Sequence, residues 1–295
     1  MKLNKDFLNK LKWLNIKKDC IEITNGISLK DILIFFAFPV FITLLMLLPP
    51  IIREYLSFKI YNYSWWQFIT NAFIHKDLSH LWHNLQGYFI FGLILLIFAN
   101  RTGDKKNLLW LFLFTLISLP IISSIIEVLI YPVFMPMIKT SQGSSGLVSA
   151  ILGFLPMLWI YHFSKKQKNN LININFFNLS TLYVALLFVI IYYPIHKNIF
   201  FILLVLACIL FFGYLYRKNF KPLLKGIFEE SKDNLIFYFL RILLPIFFMV
   251  APLLLFPVKI VQGNSMVDFF MHYIGLIYGI ILSFLFFKFK FSHSR

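Results

Sequence analysis

The run GSSGLVSAILGFLPMLWIYHF, residues 143–163, decides the fold. From Ser145 to Phe163 it is long and apolar enough to cross a bilayer, which takes roughly 20 such residues at helical rise. Small residues recur along it, Ser145, Ser149 and Gly153 in one row and Gly146 and Ala150 in another. Rows of that kind let a second membrane helix approach backbone to backbone. A matching partner lies near the other end of the chain, where His272 opens an apolar run that carries Gly275 and Gly279. Close packing of these two helices would bring Ser145 and His272 together.

The rest of the chain agrees with a membrane setting. Of 295 residues, 60% are hydrophobic, 19% aromatic and only 14% charged, and the mean hydropathy of +0.79 is far above that of soluble domains. The expected fold is all-α, a polytopic membrane helix bundle, with apolar runs at 32–52, 80–100, 108–132, 145–163, 177–194, 198–216, 236–256 and 269–287. That makes about eight transmembrane helices. The stretch from Thr181 to Tyr216 is nearly continuous, but Pro194, His196, Lys197 and Asn198 interrupt it. One helix of that length would be about twice the bilayer core, so a hairpin is expected. The first 31 residues are basic and polar and do not read as a cleaved signal peptide. Leu3, Phe7, Leu11 and Leu14 suit either a short helix on the lipid surface or a tail without fixed structure. Cys20 and Cys208 offer no disulfide.

Charge sets the orientation, because cytoplasmic loops hold the excess Lys and Arg. With eight helices and the N-terminus inside, most of the 28 basic residues fall in the cytoplasmic segments, and the outer ones hold Arg53, Lys59, Lys76, Lys139, Lys197 and Lys259. Arg241 lies inside the seventh helix, near enough to its cytoplasmic end to snorkel. The expected organisation is a cytoplasmic basic segment at 1–31, a transmembrane domain at 32–289 with an inserted hairpin at 177–216, and a cytoplasmic tail at 290–295. The net charge of +16 is then an orientation signal, and no basic–aromatic stripe points to nucleic acid. A multi-pass protein of the cell membrane follows, in contact with the lipid bilayer and with both termini in the cytoplasm.

On this scaffold His80, Asn84, Ser145 and His272 each lie near the start of the second, fourth or eighth helix, all of which run from outside to inside. Counting down to Arg101, Lys165 and Lys288 puts Asn84, Ser145 and His272 roughly 24–30 Å above the cytoplasmic anchors. They share the outer side and one level. A serine hydroxyl becomes a useful nucleophile when a base removes its proton, and neutral histidine is the usual base; His272 suits that role. At a helix start, an oxyanion formed on attack by Ser145 meets free N–H groups and the positive end of the helix dipole. His80 and Asn84 share a helix face and would add two side-chain donors. Gly143 and Gly146 would let a substrate backbone approach.

Three motifs resemble the rhomboid family of intramembrane serine proteases. The segment from Trp66 to Asn84 resembles that family's entry into its second helix, with His75 ahead of His80-x-x-x-Asn84. Gly143-Ser144-Ser145-Gly146 is similar to its Gly-x-Ser-Gly, and the run from His272 through Gly275 to Gly279 to its His-x-x-Gly-x-x-x-Gly. The resemblance covers about 32–163 and 236–287. It implies that Ser145 is the nucleophile and His272 its base, without an aspartate, and that His80, Asn84 and the Ser145 N–H form an oxyanion hole. The implied activity is endopeptidase cleavage of transmembrane protein substrates near their outer ends, with no cofactor. Departures are three helices, where the family core has one, between the serine and histidine helices; Met271 before His272, where the family prefers a small residue; and no Trp-Arg motif in the first outer loop, 53–79. Trp65 and Trp66 there read as interfacial anchors. The seventh helix is the expected equivalent of the family's mobile gate.

Other readings compete with these roles. A serine at a helix start is commonly an N-cap, and Ser145 taken alone reads that way. His75, His80 and His83 raise the question of zinc, but no acidic or cysteine ligand lies at their depth, so no metal is expected. The rival function is a catalytically inactive rhomboid-like protein that binds client membrane helices; its usual sign is loss of the Ser or the His. A transporter, favoured only by the extra helices, lacks paired membrane carboxylates.

Overall fold

The computed structural model describes residues 24–134, 138–167 and 269–293, with 21, 136, 261–262, 265–266 and scattered positions between 203 and 217. Five helices among the described residues are long and apolar enough to cross a membrane. In chain order the helices are α1 (Leu29–Met46), α2 (Pro50–Leu56), α3 (Gln67–Thr70), α4 (Leu78–Thr102), α5 (Lys105–Phe134), α6 (Ser145–Gln167) and α7 (Phe269–His293). The spanning ones are α1, α4, α5, α6 and α7. The apolar runs at 177–194 and 236–256 lie outside the described residues, as does 198–216 apart from scattered positions.

The first expected helix, 32–52, is corrected at both ends. It begins at Leu29 because Ser28 caps it: the Ser28 side chain accepts from the Asp31 N–H, and Asp31 accepts from the Ser28 N–H at 2.8 Å. It ends at Met46, because Pro49 and Pro50 cannot continue the hydrogen-bond ladder; Pro50 instead starts α2. The other four spans run past their apolar cores, α7 by more than a turn into its Lys288 and Lys290 end.

Helix α6 is the centre of the bundle, with 94% of its spanning window buried. On one side it meets α4, where Gly87 makes room for Val148. On the other it meets α7 with almost no side chain between them. A Cβ on Gly279 would lie 2.2 Å from the Ala150 carbonyl oxygen, and one on Gly153 would lie 2.5 Å from that of Leu276. Because Gly146 faces Gly275 while Ala150 faces Gly279, the register advances in the same sense on both helices and the two run parallel. The sequence expected this seam from its small residues.

At the far end, Lys290 donates to buried Asp104 in the turn between α4 and α5. There, too, Lys105 pairs with Asp31 at 2.6 Å, joining α5 to α1. Among the five described spans, helix α1 is the most loosely attached: Phe38, Pro39 and Ile42 are its buried residues, and Leu29, Leu33, Val40 and Leu44 face outward.

The long connection between α2 and α4 folds over the near end of the bundle. Its Phe58–Lys59 (β1) pairs antiparallel with Thr140–Ser141 (β2), in the register Phe58↔Ser141 and Lys59↔Thr140. A small core of Phe58, Ile60, Tyr131 and Ile138 seals that pairing. A second antiparallel pair, Val261–Gln262 (β3) with Ser265–Met266 (β4), precedes α7.

Candidate active site

The segment that leads into α6 is held from three sides. β2 fixes its start. The Gly143 N–H donates to the Asn71 carbonyl at 2.9 Å, and Asn71 Nδ2 donates in turn to Ser124 Oγ on α5 at 2.8 Å. Ser141 Oγ donates to Glu127 Oε1, also on α5, at 2.9 Å. The loop is thereby tied to polar groups buried on α5.

Gly143 takes φ +123°, a conformation that side-chain-bearing residues rarely adopt. Space demands glycine as well, since a Cβ there would lie 2.5 Å from His80 Cε1 and 2.9 Å from its Nε2. The imidazole of His80 thus lies directly on the Gly143 backbone, two residues ahead of Ser145. Its position follows from the start of α4, where Asp77 caps the helix by accepting from the His80 N–H at 2.8 Å.

One turn along α4, Asn84 is buried, and its Nδ2 has no hydrogen-bond partner among the described residues. Buried donors are nearly always paired, so a native exception calls for an explanation. Ser145 is the first residue of α6 and is buried at 8% exposure. Its neighbour Gly146 lies against Met271, whose carbonyl would be 3.4 Å from a Cβ on Gly146, and against Gly275. The turn of α7 from Met271 to Gly275 holds His272, so Ser145 and His272 stand at one level of the seam. His272 is half-buried. The bulk of Met271 is accommodated, because Gly146 presents no side chain to it.

His75, which stands ahead of His80-x-x-x-Asn84 in the sequence and for which no metal role is expected, meets the start of α6. Its Nε2 lies 3.1 Å from Ser144 Oγ and accepts from the Ser144 N–H at 3.3 Å. With Nε2 accepting, the ring proton is assigned to Nδ1. Burial, with the His80 ring beside it, pushes the His75 pKa down from 6.5 to about 3, so the ring is neutral. The His75 and His80 ring centroids are 5.2 Å apart. His83 is exposed, and its Nδ1 lies 2.7 Å from the Ser79 carbonyl oxygen on the same helix.

Further residues escaped the sequence reading. Arg53, counted there only as an outer charge, donates through Nη1 to the carbonyls of His75 (3.0 Å) and Lys76 (3.2 Å). It thereby fixes the approach to α4. Trp65 is exposed, as an anchor would be, but Trp66 packs on Tyr55 with ring centroids 5.3 Å apart. Glu127 is fully buried; a lone carboxylate inside an apolar run was a signal in itself. The roles of Arg53 and Asn71 depend on long-range contacts and carry no such signal.

A family model described as Rhomboid domain matches residues 62–203. The match takes in His80, Asn84 and Gly143 to Gly146 and stops short of His272. No curated protein matches the chain, and no solved structure does.

Proposed function

The chain belongs to the rhomboid family, and from that premise we propose that it is an intramembrane serine endopeptidase with Ser145 as nucleophile and His272 as general base. Its substrates are the transmembrane segments of other membrane proteins, cut near their outer ends. In the first step the Ser145 Oγ proton passes to His272 as the oxygen attacks the scissile carbonyl. Negative charge then develops on the carbonyl oxygen, where the Ser145 N–H, His80 and the Asn84 amide can meet it. Collapse expels the new amine, which takes the proton back from His272 and leaves an acyl group on Ser145. A water molecule, deprotonated by the same imidazole, releases the acid.

The observation that carries this reading is Asn84. An amide donor buried on α4 one turn beyond His80, with no acceptor among the described residues, costs free energy at rest, and an oxyanion would supply the acceptor. The backbone seam of α6 and α7 supports the pairing of Ser145 with His272.

The experiment is cleavage of a model transmembrane substrate by the purified chain, alongside labelling by a serine-directed fluorophosphonate. Ser145→Ala and His272→Ala should each abolish both, and the double variant should be no worse than either single one. Cleavage that survives in Ser145→Ala but fails in Ser144→Ala would move the nucleophile by one residue. Substrate capture with neither labelling nor cleavage would make the chain a binder of membrane helices.

A further inference from the structure

At the bundle end opposite Ser145, a cavity of about 370 Å³ opens between α1, α4 and α5. Its volume is within the ~300–1,000 Å³ common for ligand pockets. Phe35, Leu95, Leu109 and Phe112 line the interior, while Lys30 and Lys106 stand among the residues of its rim and are exposed. The aromatic wall is built in: the Phe35 ring sits on Gly92, where a Cβ would lie 2.8 Å from Phe35 Cε2, and it stacks on Tyr88 at 5.2 Å.

The charges around this opening are unequal. Lys105 is engaged by Asp31. Among the described residues Lys30 and Lys106 have no acidic partner, so two cations border an apolar slot. We propose that this cavity binds one anionic phospholipid, with its phosphate held by Lys30 and Lys106 and one acyl chain lying along Phe35, Leu95, Leu109 and Phe112.

Charge complementarity selects this occupant. A free phosphate would leave the apolar interior unused, and a zwitterionic lipid would bring a second cation against the lysines. The basic N-terminal segment of the chain, with Lys2, Lys5, Lys10, Lys12, Lys17 and Lys18, is repelled by them. The setting agrees: Arg101, Lys105, Lys106, Lys288 and Lys290 mark this end as the one that the lysine bias assigns to the cytoplasm. Anionic lipid is concentrated in that leaflet. Helix α1, loosely attached elsewhere, would gain a partner along its inner face. The proposal does not rest on the protease reading.

The test is native mass spectrometry of the purified full chain, released from micelles that contain equal amounts of phosphatidylglycerol and phosphatidylcholine. One phosphatidylglycerol should be retained in preference. Lys30→Ala and Lys106→Ala should each weaken retention about fivefold and together about thirtyfold, the size expected for a lysine at an anionic lipid surface. Leu109→Trp, which fills the slot, should abolish retention with both lysines intact. Lys59→Ala at the other end should change nothing, and unchanged helical circular dichroism in every variant keeps misfolding apart from lost binding. Equal retention of the two lipids, retention unchanged in the double lysine variant, or displacement by inorganic phosphate alone would each overturn the proposal.

Discussion

The Gly146 carbonyl lies so close to Gly275 that a Cβ on the latter would stand 2.1 Å from the oxygen. Backbone contact of that kind leaves no room for a methyl group, and the atom in the way is main chain. Gly275→Ala must therefore separate α6 from α7 next to the proposed dyad. Overpacking a tight site typically costs about 1–3 kcal/mol, so a fall in thermal midpoint is expected together with lost cleavage. An alanine variant that keeps the wild-type midpoint would mean a looser seam.

Asn84→Ala should separate stability from turnover. At rest its Nδ2 has no partner among the described residues, so truncation breaks no hydrogen bond of that nitrogen, and the thermal midpoint should hold or rise slightly. Turnover should fall by about 10²–10³, the usual cost of one oxyanion donor, with substrate binding retained. A lower midpoint at unchanged turnover would make Asn84 a packing residue.

His75 gives the fold a pH dependence with a definite sign. Its pKa is depressed by burial from 6.5 to about 3, so the folded state binds fewer protons than the unfolded state between those values. Stability from this group is complete above the unfolded value and declines as pH falls through the window. Acid titration of unfolding should show that component in the wild type. His75→Gln, which can still accept from the Ser144 N–H, should lose it; an unaltered acid limb in that variant would assign the effect to other groups.

Topology can be checked on whole cells. Parallel packing of α6 and α7 requires the chain between Gln167 and Phe269 to start at one end of the bundle and finish at the other, which one or three crossings achieve and two do not. Single cysteines at Asn198, Gly263 and Ser294, in a background without Cys20 and Cys208, should react with an impermeant thiol reagent in intact cells at the first two sites only. Labelling at Ser294→Cys with Gly263→Cys protected would put His272 near the cytoplasm and end the protease reading.

The helices α4, α5, α6 and α7 were legible because each is an apolar run of spanning length, and length and hydropathy are local properties. The α6–α7 seam was legible for a similar reason: close approach requires small residues, and these recur at helical spacing. The C-terminal limit of α1 was misplaced because hydropathy carries on smoothly through Leu47 and Leu48 into Pro49 and Pro50, while the backbone cannot. The folding of 53–77 was not legible. The pairing of β1 with β2 joins residues some eighty positions apart, and Arg53 has its effect on carbonyls, which look alike in every sequence. The partner of His75 was hidden for the same reason, since its acceptor nitrogen is claimed by the main-chain N–H of a residue far along the chain.

Helix α7 is held at both ends, by backbone contact with α6 near His272 and by Lys290 on Asp104 at the opposite end. A rod fastened at both ends does not swing. On the proposed protease reading, the α6–α7 face is consequently a wall to a membrane segment seeking Ser145 from the side, and the doorway opens between other helices.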